Sequence, residues 1–290
     1  MLKLDFGGNT MVEHRRSSAG TEVFQLRQQS QDVSTSVDPG TPFAVWTVRD
    51  PSRPGESLAI KIDPEQRPPD ANQKSKFEIN VSRQDDTRLD AIHAGHYVLK
   101  NGSSNYLGFA FKMDTEFYDA PKRWVLHFQV WQCCSLKTLP PLAFQAIPDA
   151  AGPSGTVNFA MIARNDDYVA DKPHSDFGEH LTFADGSKDL RLNRGQWYRI
   201  ILFLKPDPGK RVDGRMHSTA GEIDMWIDGR HVLHHVGAWG YTPDDSPDVH
   251  DTYAVKLGIY RAAQPTRQQI YFNSLRWGTD KPSVDPDRRQ

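Results

Sequence analysis

The chain has 290 residues, long for one domain but ordinary for a large β-sandwich or barrel. Hydrophobic residues make up 37% and charged residues 25%, which supplies a packed core and excludes global disorder. A net charge of −2 excludes a generic electrostatic grip on nucleic acid or an anionic membrane, although 35 Lys and Arg among 37 Asp and Glu leave room for a local basic cleft.

In chain order, residues 1–40 are polar and weakly periodic, and "RQQSQDVSTSVDPG" reads as a flexible lead-in. The start, "MLKLDFGGNT", lacks the charged and then apolar regions of a signal peptide. No apolar run reaches the length of about 18 residues that marks a membrane helix.

From residue 41 to 279 a procession of short strand-like runs follows: "SLAIKI", "KFEINVS", "YLGFAFKM", "WVLHFQVW", "PLAFQAI", "VNFAMIAR", "WYRIILFLK", "EIDMWIDG", "YAVKLGIYR" and "QIYFNSLRW". Each is rich in aromatic or β-branched residues and bounded by Gly, Pro, Asn or Asp. Asp228-Gly229 predicts a hairpin tip, and "NGSS" at 101–104 and "PDPGKRVDG" are further turns. One short helix is expected in "DTRLDAIHAGH". The tail from 280 to 290 is charged and proline-containing and is expected to be loose. The pattern predicts an all-β protein, a two-sheet antiparallel jelly-roll sandwich with a concave outer groove that suits an extended polymer.

Adjacent Cys133 and Cys134 close a disulfide only by straining the peptide between them. There is no disulfide framework and no zinc-type Cys/His spacing, so no metal ligands are expected.

Alternation assigns faces to three strands. In "HFQVWQCC", Phe128 and Val130 face one way, and His127, Gln129 and Trp131 the other. In "YAVKLGIYR", Tyr253, Val255, Leu257 and Ile259 form an apolar face, with Lys256, Gly258 and Tyr260 opposite. Gly258 is read as clearing space for a bound chain between Lys256 and Tyr260. In "KFEINVSRQDD", Phe77, Ile79 and Val81 point inward, and Arg83 turns outward if a bulge ends the strand. A solvated polar face accounts for any one of these rows. A row of His, Gln and Trp is better explained by a sugar, which stacks on the ring and hydrogen-bonds to the rest.

These three stretches, in this order, resemble the β-jelly-roll polysaccharide lyases: alginate lyases with R-x-E-L-R, Q-I-H and Y-F-K-A-G-V-Y-N-Q signatures, glucuronan lyase and heparin lyase I. "AVKLGIYRA" matches the last signature at Lys256, Gly258 and Tyr260; "QVW" matches the second at Gln129; "SRQDD" matches the first at Arg83, with Gln84 in place of the acid. "NYLGFAFKM", "LPPLAFQA" and "GEIDMWIDGRHV" look like strands of the same group, so the similarity runs from about residue 55 to 278.

The resemblance implies β-elimination on a uronic-acid polymer, glucuronan-like by the chain's modest length. Tyr260 is then base and acid, and Gln129 and Arg83 stabilise the enolate at the carboxylate. Lys256 lowers the tyrosine pKa, and Trp131 occupies the place of the family histidine. His127, His93 or His96 could take over that histidine's part, and Gln132 replaces Gln129 if the register differs by one. No cofactor is implied. Relatives hold a structural calcium ion far from the cleft; the resemblance leaves such an ion open here, with Asn273 in the place of the usual Asp near the last strand. The expectation is a monomer acting on an acidic polysaccharide, with no nucleic-acid or membrane partner, and a secreted or periplasmic location by resemblance.

Two rivals share the fold. A laminarinase-type hydrolase carries E-I-D-x-x-E, but "EIDMWIDG" places Ile227 where the last glutamate belongs. A non-catalytic carbohydrate-binding module needs less than the set Arg83, Gln129, Lys256 and Tyr260.

Overall fold

The computed structural model describes residues 2–4, 11–16, 22–28, 31–37, 42–65, 74–82, 99–132, 139–148, 155–168, 178–242 and 251–288. The first strands are β1 (Leu2–Leu4), β2 (Met11–Arg16), β3 (Glu22–Gln28), β4 (Gln31–Val37), β5 (Phe43–Arg49), β6 (Glu56–Ile62) and β7 (Lys74–Ser82). Next come β8 (Leu99–Lys100), β9 (Asn105–Met113), β10 (Val125–Gln132), β11 (Leu142–Ala146), β12 (Thr156–Ala163), β13 (Glu179–His180) and β14 (Leu190–Asn193). The last are β15 (Trp197–Lys205), β16 (Lys210–Val212), β17 (Arg215–His217), β18 (Glu222–Ile227), β19 (Arg230–Val236), β20 (Thr252–Ala262) and β21 (Gln268–Gly278).

Apart from β16 and β17, which pair with each other, they form two large antiparallel sheets. The first runs β19-β18-β15-β9-β21-β6-β5, with β1 beside β21; the second runs β13-β12-β11-β10-β20-β7-β4-β3-β2, with β14 on β12 and β8 on β20. Period-2 alternation drives the two sheets together. On β9, Leu107, Phe109, Phe111 and Met113 are buried, and on β20 so are Tyr253, Val255, Leu257 and Ile259. Phe111 of one sheet meets Phe159 of the other edge to face, with ring centroids 6.4 Å apart, and Phe159 stacks on Phe144 at 4.5 Å. Each such buried ring removes apolar surface worth roughly 2–3 kcal/mol from water. The result is the jelly-roll sandwich expected from the strand pattern, and no helix among the described residues is long and apolar enough to cross a membrane.

The hairpin tips behave as their residues require. Asp228 and Gly229 (φ 52° and 84°) and Asp213 and Gly214 (φ 47° and 79°) both turn through the left-handed region, which a two-residue hairpin needs. The helix expected in residues 86–96 and both cysteines lie outside the described residues.

Both expected end regions need correction. Within residues 1–40, β4 pairs with β7 and β1 pairs with β21, so strand pairing begins well before residue 41. At the other end, a short 3-10 turn at Pro282–Val284 docks on the outer face of the first sheet and buries Val284 completely. Arg276 donates to the carbonyls of Asp285 (2.5 Å) and Arg288 (3.1 Å), and Arg53 pairs with Asp287 at 2.5 Å. Charge and proline suggest a loose tail, but buried Arg276 and partly buried Arg53 supply its partners. Gly108 makes room for it: a Cβ there would lie 1.8 Å from the Val284 carbonyl oxygen. Gly108→Ala should therefore displace the tail at a cost of roughly 1–3 kcal/mol. Faster proteolytic loss of residues 280–288 in the variant would register it.

Candidate active site

The central strands of the second sheet lie in the order β11-β10-β20-β7. Their pairing is not regular. Leu126 stands opposite Tyr260 and Phe128 opposite Leu257, so His127 alone faces both Gly258 and Ile259. Against β11 the pairing slips at the same point, with Leu126 opposite Gln145 and Phe128 opposite Phe144. This bulge breaks the alternation along β10. Leu126, Gln129 and Trp131 lie on the outward row with Tyr260, Lys256 and Ala254, whereas His127 is turned inward beside Phe128.

The outward position expected for His127 is thus corrected. Its ring lies among Phe111, Tyr118 and Phe159, with centroids 5.5, 5.6 and 5.9 Å away. Its Nε2 is 2.7 Å from the Tyr118 hydroxyl and its Nδ1 3.0 Å from the Gly258 carbonyl oxygen. The carbonyl can only accept, so Nδ1 carries the proton and Nε2 accepts from Tyr118. Burial lowers the His127 pKa to about 4, against a smaller opposing effect of the Gly258 carbonyl, and burial raises that of Tyr118. Both groups are neutral core polar groups with their hydrogen bonds made. Neither faces the outward row.

Gly258 also has a different task from the one expected. A Cβ there would meet the Phe77 carbonyl oxygen at 2.1 Å and Glu78 Cα at 2.7 Å. The glycine admits the β7 backbone, and the close approach of that strand fixes the irregular pairing.

Gln129 and Tyr260 do share one face. Gln129 lies opposite Lys256, and Glu78 lies opposite Gly258. Tyr260 is three rungs from Gln129 along the sheet, roughly 10 Å at the strand rise. Gln129 Nε2 donates to Glu78 Oε1 at 2.5 Å, while its Oε1 is buried with no hydrogen-bond partner among the described residues. The amide is thereby oriented. It keeps a second N–H donor and a bare acceptor.

Tyr260 is half-buried at the other end of this row. Trp124 packs edge-on against it at 5.1 Å, and the ammonium groups of Lys74 and Lys76 lie 5.8 and 5.5 Å from its ring centroid. Lys256, expected as the cation beside Tyr260, is four residues away and rests over the Trp131 ring at 4.7 Å. The next residue, Arg261, turns inward and anchors this strand end to the carbonyls of Thr266 (2.5 Å) and Asp63 (2.8 Å).

Gln132 is a structural clamp. Its Nε2 donates to the Tyr241 carbonyl (2.9 Å) and its Oε1 accepts from the Tyr241 amide (2.8 Å), which corrects its place among the substrate contacts. Arg83, His93 and His96 lie outside the described residues. Lys74, Lys76, Glu78 and Trp124 were not singled out from the sequence. The inward reading of Phe77, Ile79 and Val81 already implied that Lys76 and Glu78 point outward.

Among the described residues of β7, β10, β11 and β20, Glu78 is the one carboxylate. A hydrolase needs two, placed about 5–9.5 Å apart across the scissile bond. The "EID" carboxylates Glu222 and Asp224 belong to β18 of the opposite sheet. The residues at Asn273 do not fit the calcium ion. Its Nδ2 donates to the carbonyls of Pro54 (3.3 Å) and Glu56 (2.9 Å) and to Ser57 Oγ (3.2 Å), so an amide serves oxygens that a cation would bind.

The two-sheet sandwich thus carries a phenol, an oriented amide and lysines on one outer face. The polysaccharide lyase family model matches residues 20–276, and the chain belongs to that family of enzymes. It is similar in structure to the endo-β-1,4-glucuronan lyase of the fungus Trichoderma reesei, at 15% identity over 88% of this chain and 94% of that one, with a TM-score of 0.56. The marine PL7 alginate lyase AlyA1 from Zobellia galactanivorans gives 10% identity, coverages of 80% and 83% and a TM-score of 0.44. The alginate lyase PA1167 from Pseudomonas aeruginosa gives 11%, 81% and 86%, and 0.44. At these identities the likeness is one of fold, and the first alone carries weight. No curated protein sequence matches the chain.

The buried imidazole has a measurable signature. With a folded pKa near 4 against 6.5 when exposed, His127 takes up its proton more readily in the unfolded chain. Its contribution is complete above pH 6.5 and is lost as pH falls from there towards 4, by about 3 kcal/mol in all. Denaturant unfolding at pH 7 and pH 4 should show this loss. His127→Gln should be weaker at pH 7 and flatter with pH.

Proposed function

We propose that the enzyme cleaves a glucuronate-containing polymer, glucuronan-like, by β-elimination to leave a 4,5-unsaturated end. The observation that carries this reading is the shared face of Tyr260 and Gln129, flanked by Lys74, Lys76 and Lys256. Family membership and the fold likeness to a glucuronan lyase support it.

The chemistry requires removal of the C5 proton next to the C6 carboxylate and departure of the oxygen at C4. The C5 proton is weakly acidic while the carboxylate is charged, so the developing enolate must be stabilised. Gln129, held by Glu78, presents its second N–H to that carboxylate. Arg83 belongs to the same proposed set as a guanidinium partner. Tyr260 abstracts the proton as phenolate and returns it to the leaving oxygen. One residue suffices because H5 and O4 of glucuronate lie on one side of the ring. The ammonium charges of Lys74 and Lys76 beside the ring favour the phenolate by Coulomb attraction. Further along, Trp131 stacks on a neighbouring sugar, and Lys256 attracts its carboxylate.

Ultraviolet absorbance on glucuronan, alginate, heparan-type and pectic polymers tests the reading. Glucuronan should give the unsaturated product, whereas reducing ends without absorbance would indicate hydrolysis, and neither signal would indicate mere binding. Tyr260→Phe should lower kcat by roughly 10²–10⁴-fold with little change in affinity. Full activity in that variant removes Tyr260 from the mechanism.

Gln129→Ala should reduce kcat/KM by about 10²–10³-fold, the loss expected for one donor at a developing oxyanion. Steady-state kinetics on the same polymer measures it. An unchanged kcat/KM would place the amide outside the reaction.

A further inference from the structure

We propose that Asp224, His231 and His234 form a binding site for a divalent transition-metal ion of the zinc, cobalt or nickel kind. The site lies on the outer face of the first sheet, at its β19 edge. It is separate from the elimination site, which uses the other sheet.

The sequence alone argues against this grouping. His231 and His234 are three residues apart on one strand, and regular alternation would send them to opposite faces. The structure brings them together through a bulge. Met225 pairs with Leu233 and Trp226 with His231, so Val232 is the extra residue. Val232 and Leu233 both turn into the core, and the two imidazoles are left on the outside with Asp224, which lies directly opposite His234. One ligand atom from each residue lies within 4.8 Å of the other two.

The donor chemistry fits. Asp224 Oδ1 is 2.7 Å from His231 Nε2 and 2.9 Å from His234 Nδ1, so both imidazoles already aim a ring nitrogen at one carboxylate oxygen. When each facing nitrogen is the unprotonated one, it presents a lone pair to the same point. A tetrahedral ion with ligand bonds of about 2.0–2.2 Å separates its ligand atoms by roughly 3.3 Å. The two exposed imidazoles reach that spacing by small side-chain rotations. Two nitrogens and one oxygen suit zinc and its neighbours, whereas calcium and magnesium prefer all-oxygen shells. Asp224 is nearly buried and both histidines are half-exposed, which leaves a fourth position open to water.

Charges of both signs surround the site. Tyr106, on the adjoining outer face, has its pKa raised by burial first and then by the charges of Asp224, Glu222 and Asp280 together. Lys281 opposes them, with its ammonium 3.7 Å from the centroid of the Trp226 ring that stacks on His231. The ion would cross-link β18 and β19 and hold the edge strand of the sheet.

The test uses tag-free full-length protein. Titration with cobalt(II) should give one equivalent of binding and visible bands of a low-symmetry site, and zinc should displace the cobalt and raise the melting temperature. In the double variant His231→Gln, His234→Gln, and separately in Asp224→Asn, affinity should fall by at least the roughly tenfold to hundredfold that losing a metal's outer-shell partner costs. Circular dichroism should show that the variants keep the fold. If one variant unfolds, the other still decides. Absence of saturable binding to wild-type protein overturns the proposal, as does undiminished binding in folded variants. Lyase turnover is not the readout, so the outcome is independent of the elimination chemistry.

Discussion

The arrangement of the outward face rests on the mismatch between β10 and β20, where one residue faces two. It persists because three groups lock it. Gly258 leaves no room for a side chain against β7, the Gly258 carbonyl accepts from His127, and Tyr118 closes the other side of the imidazole. A regular ladder would have placed an imidazole in the row with the amide and the indole. The slipped ladder instead moves the imidazole into the core and leaves Leu126, Gln129 and Trp131 outside. The distance between phenol and amide is therefore a property of the backbone, set before any substrate arrives.

The same face carries a polar group that folding alone would disfavour. Gln129 and Glu78 are both almost wholly buried on the outward side of the second sheet. Hiding an amide oxygen without a partner costs about 1–3 kcal/mol. A protein selected only for stability would place an apolar residue there. Sites that bind and transform ligands accept such costs because an amide held in one orientation does not have to reorganise during reaction. The lysines around the pair give a chain of net negative charge a locally positive surface, which a bulk charge count conceals.

Most of the fold was legible in residue alternation. The apolar rows on "YAVKLGIYR" and "KFEINVS" lie inside as read, and the Asp-Gly tips turn as their φ angles demand. The site was only partly legible. Tyr260, Gln129, Lys256 and Trp131 share a face because each lies where parity holds from its own side of the slip. His127 was misplaced because a bulge is a pairing event between two strands and leaves little trace in either one. Gln132 was misread because its partner, Tyr241, is over a hundred residues away and offers a backbone edge that no motif reveals. The parity of Glu78 is plain, but its bond to Gln129 joins β7 to β10 across β20, a contact that neither strand's own sequence records. The tail illustrates a further limit. Its charges look like solvated residues until buried Arg276, which holds two of its carbonyls, is known.

That docked tail has an effect on the molecule as a whole. By resting on Gly108 and burying Val284, the final turn roofs part of the outer face of the first sheet with the chain's own backbone. The two outer faces of the sandwich are thereby unlike: one is partly thatched by the chain's own end, and the described residues of the other carry Lys74, Lys76 and Lys256.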